Sequence, residues 1–139
     1  MISSQLSDSF RGKNVLITGH TGFKGSWLTA WLNELGANVI GVSLDLPTNP
    51  AHFEILNFKN IESYQFDIRN FKLLKNLVKE KSPDYIFHLA AQSLVINSYK
   101  NPLDTWSTNL MGTVNILESL KSLTNSCSVV IITSDKCYD

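Results

Sequence analysis

The sequence of 139 residues is poor in cysteine and has no excess of charge of either sign. Its two cysteines, Cys127 and Cys137, are too few for a disulfide framework, so we expect free thiols. Twelve basic residues balance twelve acidic ones, whereas nucleic acids and anionic membranes are usually bound by a basic excess. The composition therefore predicts neither a nucleic-acid partner nor a membrane partner.

Long apolar runs and metal-binding patterns are also missing from the sequence. No apolar segment approaches membrane-spanning length, and the polar N-terminus has no signal-peptide core. The three histidines, His20, His52 and His88, are scattered along the chain, so we expect no metal site. These absences favour a cytoplasmic protein with a single domain, for which an apolar content of 43% supplies enough core.

Strand and helix signals alternate along the chain. Apolar runs predict strands at 15–18, 39–42, 64–66, 85–89 and 129–132, and helices are predicted at 23–35, after Asn70 and after Asn101. This alternation is typical of an α/β fold with a Rossmann-like, doubly wound parallel sheet in the strand order 3-2-1-4-5. The ligand crevice of such a sheet lies at the carboxyl ends of strands one and four.

Large apolar side chains recur at helical spacing in two of the predicted helices. Trp27 and Trp31 in the first helix are predicted to pack against the sheet. The last helix carries an apolar stripe that consists of Leu103, Trp106, Leu110, Val114 and Leu117.

The most specific pattern in the sequence is a set of three glycines directly after the first strand. Gly19 allows a sharp turn, Gly22 leaves the backbone open to a pyrophosphate, and Gly25 lets the helix pack closely. The free N–H groups of the first helical turn would then face the phosphates. We predict a dinucleotide phosphate site at this turn, and a tight turn without a ligand is the alternative. Its residues are Gly19, His20, Thr21, Gly22, Phe23, Lys24 and Gly25.

Further motifs follow the later strands. They are Asp67-Ile68-Arg69, His88-Leu89-Ala90-Ala91-Gln92, the segment 133–138, and the helical segment 109–118. Together with the glycine motif they resemble the extended short-chain dehydrogenase/reductase family over residues 13–139. Within this family the resemblance is strongest to the nucleotide-sugar dehydratases that act on CDP-glucose, on residues 19–28, 47–50 and 134–138.

The resemblance implies an NAD-dependent lyase that converts CDP-glucose, a nucleotide sugar, into a 4-keto-6-deoxy product. Ser134 matches the residue that hydrogen-bonds the C4 hydroxyl, and Asp135 matches the acid that protonates the departing C6 hydroxyl. Lys136 stands where the C5 base would be, or it holds charge near the intermediate. A homodimer of the full-length protein is implied too. Implied cofactor contacts are Asp67, Ile68, Leu89, Ala90, Ala91, Gln92, Asn109 and Thr133.

The second strand ends without the carboxylate that usually binds the adenosine ribose. Ser43 stands near that position and Asp45 follows two residues later, so either side chain could bond the ribose hydroxyls. No arginine follows this strand to hold a 2′-phosphate, which favours NAD over NADP. Asp67 either accepts from the adenine amino group or is the helix-start carboxylate for the segment from Asn70. For His88, a satisfied hydrogen-bonding role is favoured over a role in the crevice.

The family's Tyr-x3-Lys pair, which supplies the C4 base, is missing from the chain. We therefore expect an N-terminal, NAD-binding part of a longer enzyme, truncated before the substrate-binding part and inactive by itself. Another nucleotide-sugar epimerase or dehydratase is one alternative, although Lys136 after Asp135 argues against an epimerase. A non-catalytic NAD-sensing module is the other alternative.

Overall fold

The computed structural model describes residues 2–133, with side chains from Gln5 onward. Its strands form one parallel sheet in the order β3-β2-β1-β4-β5, which confirms the predicted topology. The prediction placed β3 two residues too late and β5 one residue too late at its start. The strands are β1 Asn14–Thr18, β2 Asn38–Ser43, β3 Glu62–Gln65, β4 Tyr85–His88 and β5 Ser128–Ile131.

Helices connect the strands and cover both faces of the sheet. They are α1 Ile2–Phe10, α2 Phe23–Glu34, α3 His52–Leu56, α4 Phe71–Lys81, α5 Val95–Lys100, α6 Pro102–Trp106 and α7 Gly112–Ser119. A π-helical turn at Ser107–Met111 joins α6 to α7, and a 3₁₀ turn at Leu120–Ser122 follows α7. The helix predicted after Asn101 is therefore confirmed, but its winding changes part-way along. Neither α1 nor α5 was predicted from the sequence.

The core lies on both faces of the central strand β1. Because side chains alternate along a strand, Leu16 and Ile17 face opposite sides of the sheet. Leu16 packs in a cluster with Leu74 of α4 and Ile116 of α7. Ile17 packs in a second cluster with Leu32 of α2. Burial of both faces explains why the central strands β1 and β2 are nearly continuous apolar runs.

The predicted packing of Trp27 and Trp31 against the sheet is wrong, since each side chain is 55% exposed. The buried face of α2 consists of Gly25, Ser26, Thr29 and Leu32. These residues are mostly small, so α2 lies close to the turn after β1. An indole ring would not fit between the helix and the turn. Trp27 packs instead on the ring of His52, with ring centroids 4.6 Å apart.

The apolar stripe on the last helix also faces away from the sheet. Leu103 and Trp106 are 85% and 65% exposed. The buried positions of α7 are Gly112, Ile116 and Ser119. Val114 follows Gly112 by two residues, and two residues rotate a helix by about 200°, so the stripe lies on the opposite side.

The N-terminal segment, for which the sequence indicated only a polar character, forms α1. Its last residue, Phe10, packs on Tyr85 of β4 with ring centroids 4.9 Å apart. Within residues 2–133, no helix combines the length and apolar character needed to cross a membrane. In the same range, no group of three or more histidine, cysteine, aspartate or glutamate side chains is arranged to hold a metal ion.

Candidate functional site

The turn between β1 and α2 is packed tightly between its neighbours. Gly19 has a φ of +76°, a conformation that glycine adopts without strain. A Cβ atom on Gly19 would lie 2.9 Å from the backbone nitrogen of Ala90. A Cβ atom on Gly25 would lie 2.0 Å from the carbonyl oxygen of Gly19. Glycine at both positions therefore lets the turn contact the loop after β4 on one side and α2 on the other.

The N-terminus of α2 is open above this turn. Its N-cap is Gly22, which has no side chain to cap the helix, and Phe23 and Lys24 are exposed. The first N–H groups of a helix have no acceptor within the helix, and the helix dipole makes this end positive. Gly22, the residue directly before these groups, places no side chain beside them. The phosphate site at this turn stays a prediction from the glycine spacing.

The side chain of His20 points from the turn into the interior, where it is 1% exposed. Its Nδ1 lies 2.9 Å from Ser43 Oγ, and its Nε2 lies 2.7 Å from Ser63 Oγ. The ring of Phe53 stands edge-on to the imidazole, with centroids 5.0 Å apart. Burial lowers the pKa of His20 below its usual value, so the ring is mainly neutral at neutral pH.

Space for the His20 ring comes from a glycine in the middle of β2. A Cβ atom on Gly41 would lie 2.2 Å from Cδ2 of His20. This contact was not predicted from the sequence. The available signal was a glycine inside an apolar strand, which often marks a close approach by another group.

The structure gives different surroundings to the two predicted ribose ligands. Ser43 is buried, and its hydroxyl accepts a hydrogen bond from the Thr21 N–H at 3.2 Å besides bonding His20. Asp45 is exposed, and its Oδ1 accepts from Nε2 of Gln65 at 2.5 Å. Ser43 thus holds the turn against β2. Asp45 and Gln65 line an open pocket of about 740 Å³ beyond the carboxyl ends of β2 and β3.

The loop after β4 packs against the glycine turn on the side away from β2. Ala90 donates its backbone N–H to Oγ1 of Thr18 at 3.2 Å. The backbone N–H of Gln92 donates to Oδ1 of Asn109 at 2.7 Å, and Nδ2 of Asn109 donates to the Gln92 carbonyl at 3.0 Å. Asn109 lies on the π-helical turn, so its amide ties this loop to the last helix. Leu89 and Ala91 lie in the same loop.

Asp67, predicted to lie near the adenine or to start a helix, is paired with Arg69. Its Oδ1 accepts from the Arg69 backbone N–H at 2.8 Å, and the guanidinium of Arg69 bonds both Asp67 and Asp104. Hydrogen bonding to Arg69 lowers the pKa of Asp67 below its usual value. The predicted cap of α4 is confirmed, because Asn70 Oδ1 accepts from the Leu73 N–H at 3.2 Å.

The remaining predicted site residues divide into three groups. The side chain of Ile68 is buried beneath Gly112, where a Cβ atom would lie 2.4 Å from Ile68 Cδ1. Thr133 is exposed just after β5. The predicted catalytic residues Ser134, Asp135 and Lys136 lie outside the described residues.

Comparison with known proteins places the chain in a family. The family model described as GDP-mannose 4,6 dehydratase matches residues 16–138. The chain belongs to this family. CDP-glucose 4,6-dehydratase of Salmonella typhimurium is 54% identical over 131 residues, which are 94% of this chain and 36% of that protein. CDP-paratose 2-epimerase of Salmonella typhi is 32% identical over 127 residues, or 89% of this chain and 37% of that protein.

Solved structures of related enzymes share the fold of this GDP-mannose 4,6 dehydratase family member. Epimerase Mth375 of Methanothermobacter thermautotrophicus matches with a TM-score of 0.83 and 32% identity, over 97% of this chain and 39% of that one. UDP-glucose 4-epimerase of Thermus thermophilus, in complex with NAD, matches with a TM-score of 0.68 and 30% identity, over 78% and 33%. The chain thus spans somewhat more than a third of the length of the two curated relatives.

The contact between Gly41 and His20 generates the first prediction. Gly41→Ala should lower the free energy of unfolding by about 1–3 kcal/mol, because the new methyl group overlaps the imidazole. In a protein that already carries His20→Ala, the same change should cost much less, because the ring is gone. Urea unfolding of the parent, both single variants and the double variant measures this coupling. An equal cost of Gly41→Ala with and without His20 would contradict the assigned contact.

Proposed function

We propose that the carboxyl edge of the sheet binds NAD, with the pyrophosphate over residues 20–24. The observation that carries this proposal is the open N-terminus of α2, which rises from a glycine turn packed against Ala90. The Thermus thermophilus relative, whose structure holds NAD, supports the choice of ligand. NAD would supply a hydride acceptor at this edge, and the chain's own residues would bind and orient it.

We propose that Asp45, rather than Ser43, bonds the ribose hydroxyls. The Ser43 hydroxyl is already engaged by Thr21 and His20, whereas Asp45 faces the open pocket next to Gln65. Its carboxylate would repel a 2′-phosphate, and no basic residue lies between Val42 and Pro50 to offset that repulsion. Asp67 would lie towards the adenine, while residues 89–92, Asn109 and Thr133 would form the opposite side of the site.

Calorimetry tests the proposed cofactor site. The chain should bind NAD more tightly than NADP at the same salt concentration. Gly22→Val should weaken NAD binding by at least about tenfold, or about 1.4 kcal/mol, because the side chain would stand in the path of the phosphates. Ala30→Val introduces the same side chain further along α2 and should leave the affinity unchanged. If the Gly22→Val variant binds NAD as tightly as the parent, the pyrophosphate does not lie over this turn. If the parent binds NADP more tightly than NAD, Asp45 does not bond the ribose hydroxyls.

We further propose that the full protein carries out NAD-dependent 4,6-dehydration of a nucleotide-activated hexose, with CDP-glucose as substrate. The support is the 54% identity to the Salmonella typhimurium dehydratase. By motif match, Ser134 would hydrogen-bond the C4 hydroxyl and Asp135 would give its proton to the C6 hydroxyl, which leaves as water. Lys136 would remove the C5 proton or stabilise the negative charge left there. An epimerase is the second candidate, because CDP-paratose 2-epimerase is 32% identical.

Product analysis separates these two activities. The full protein, incubated with NAD and CDP-glucose, should release the 4-keto-6-deoxy product. Asp135→Asn should slow this turnover by about 10²–10⁴-fold, because the departing hydroxyl loses its proton donor. Asp8→Asn, an exposed change on α1, is the matched control. A product that keeps its C6 hydroxyl would favour the epimerase.

We also propose that the exposed stripe on α6 and α7 docks against a second copy of the protein. Soluble monomers rarely expose a contiguous apolar patch of large side chains. A two-fold axis would bring the same stripe of each copy together and bury it. The stripe, including the π-helical turn, comprises Leu103, Trp106, Leu110, Val114 and Leu117.

Sedimentation equilibrium tests the proposed dimer. Trp106→Glu should shift the protein towards monomer, because a carboxylate in the middle of the apolar interface would lose its hydration. Trp31→Glu is the matched control, since Trp31 is also an exposed tryptophan but lies on α2. A parent protein that is monomeric at every concentration tested would contradict the proposal, as would equal dissociation by the two variants.

A further inference from the structure

A buried histidine joins three elements beneath the crevice. His88 is the last residue of β4 and is 2% exposed. Its Nδ1 lies 2.6 Å from Oγ1 of Thr18 on β1, and its Nε2 lies 3.1 Å from Oγ1 of Thr113 on α7. Both ring nitrogens are therefore bonded, which confirms the expected satisfied role and leaves neither nitrogen free for a ligand.

The hydroxyl of Thr113 fixes the position of the ring proton. A threonine hydroxyl has one proton to donate, and Thr113 donates it to the carbonyl oxygen of Asn109 at 2.7 Å. Towards His88, Oγ1 of Thr113 can then only accept. The Nε2 of His88 must consequently carry a hydrogen.

The hydroxyl of Thr18 completes the assignment at the other side of the ring. Thr18 is fully buried, so its proton needs a partner within the protein, and Nδ1 of a neutral His88 is the acceptor next to it. Oγ1 of Thr18 in turn accepts from the Ala90 N–H. The hydrogen bonds then run in one direction, from Ala90 through Thr18, His88 and Thr113 to Asn109.

Protonation of His88 would break this order. A second ring N–H would point at Thr18 Oγ1 and displace the proton that this buried hydroxyl now donates. Burial lowers the pKa of His88 to about 4, which agrees with a neutral ring at neutral pH.

Both ends of this chain of hydrogen bonds reach the loop after β4. Ala90 is the residue against which Gly19 of the glycine turn packs. Asn109 holds both backbone polar groups of Gln92. We propose that His88 is a positioning residue which, as the neutral Nε2–H tautomer, sets the loop after β4 relative to the glycine turn and the last helix. Its effect on the cofactor rests on the proposed NAD site, whereas the tautomer and the loop contacts do not.

Nuclear magnetic resonance of the parent protein tests the tautomer directly. With ¹⁵N-labelled histidine, the His88 ring should show the neutral Nε2–H pattern and keep it as the pH falls through about 6.5, where an unperturbed histidine titrates. His20→Ala and His52→Ala identify the other two rings by loss of their signals. An Nδ1–H pattern, or protonation of His88 near pH 6.5, would overturn the proposal.

A pair of variants at Thr113 tests the positioning role. Thr113→Val keeps the shape but removes the hydroxyl, so amide hydrogen exchange at Ala90 and Gln92 should speed up and NAD affinity should fall about tenfold. Thr113→Ser keeps the hydroxyl and should restore parent exchange and affinity. Parent-like exchange at both amides in Thr113→Val would overturn the proposal. If the parent itself fails to bind NAD, the proposed function is wrong, and the tautomer and exchange results still decide the role of His88.

Discussion

The candidate site depends on the close packing of one backbone turn, the turn after β1, against the loop after β4 and against α2. The turn after β1 has room only because Gly19 and Gly25 lack side chains, and β2 makes room for His20 only because Gly41 lacks one. Since β1 lies between β2 and β4, this turn packs against residues at or just after the ends of both neighbouring strands, at the carboxyl edge of the sheet. The result is a closely packed backbone turn from which α2 begins, and the first N–H groups of α2 have no acceptor within the helix.

Each side of the turn is held by a buried histidine. On the β2 side His20 bonds Ser43 and Ser63, and on the β4 side His88 bonds Thr18 and Thr113. Burial favours the neutral form of both rings, so neither ring needs a buried counter-charge. An anion bound at this edge, as we propose, would therefore be attracted by the helix dipole and the backbone N–H groups, with exposed Lys24 nearby.

The sheet was predictable from the sequence because a buried parallel strand has to be apolar on both faces. The glycine turn was predictable because the spacing of its glycines depends on the backbone of one short segment and not on distant parts of the chain. The sequence did not predict which face of each helix packs against the sheet. Periodicity shows that Trp27 and Trp31 lie on one stripe, but the small residues Gly25 and Ser26 decide which side of α2 meets the sheet. An exposed stripe and a core stripe look the same until the packing partner is known.

The hydrogen-bond partners of individual site residues could not be predicted either, because they also depend on parts of the chain that are distant in sequence. Ser43 and Asp45 are both plausible ribose ligands in the sequence, and only the fold shows that Thr21 and His20, more than 20 residues earlier, engage Ser43. A hydroxyl that is committed to holding the turn cannot also be displaced towards a ligand without leaving the Thr21 N–H unpaired, which costs about 1–3 kcal/mol. If a ribose binds here, as we propose, the Asp45 carboxylate, which lines the open pocket, is the group left to bond its hydroxyls.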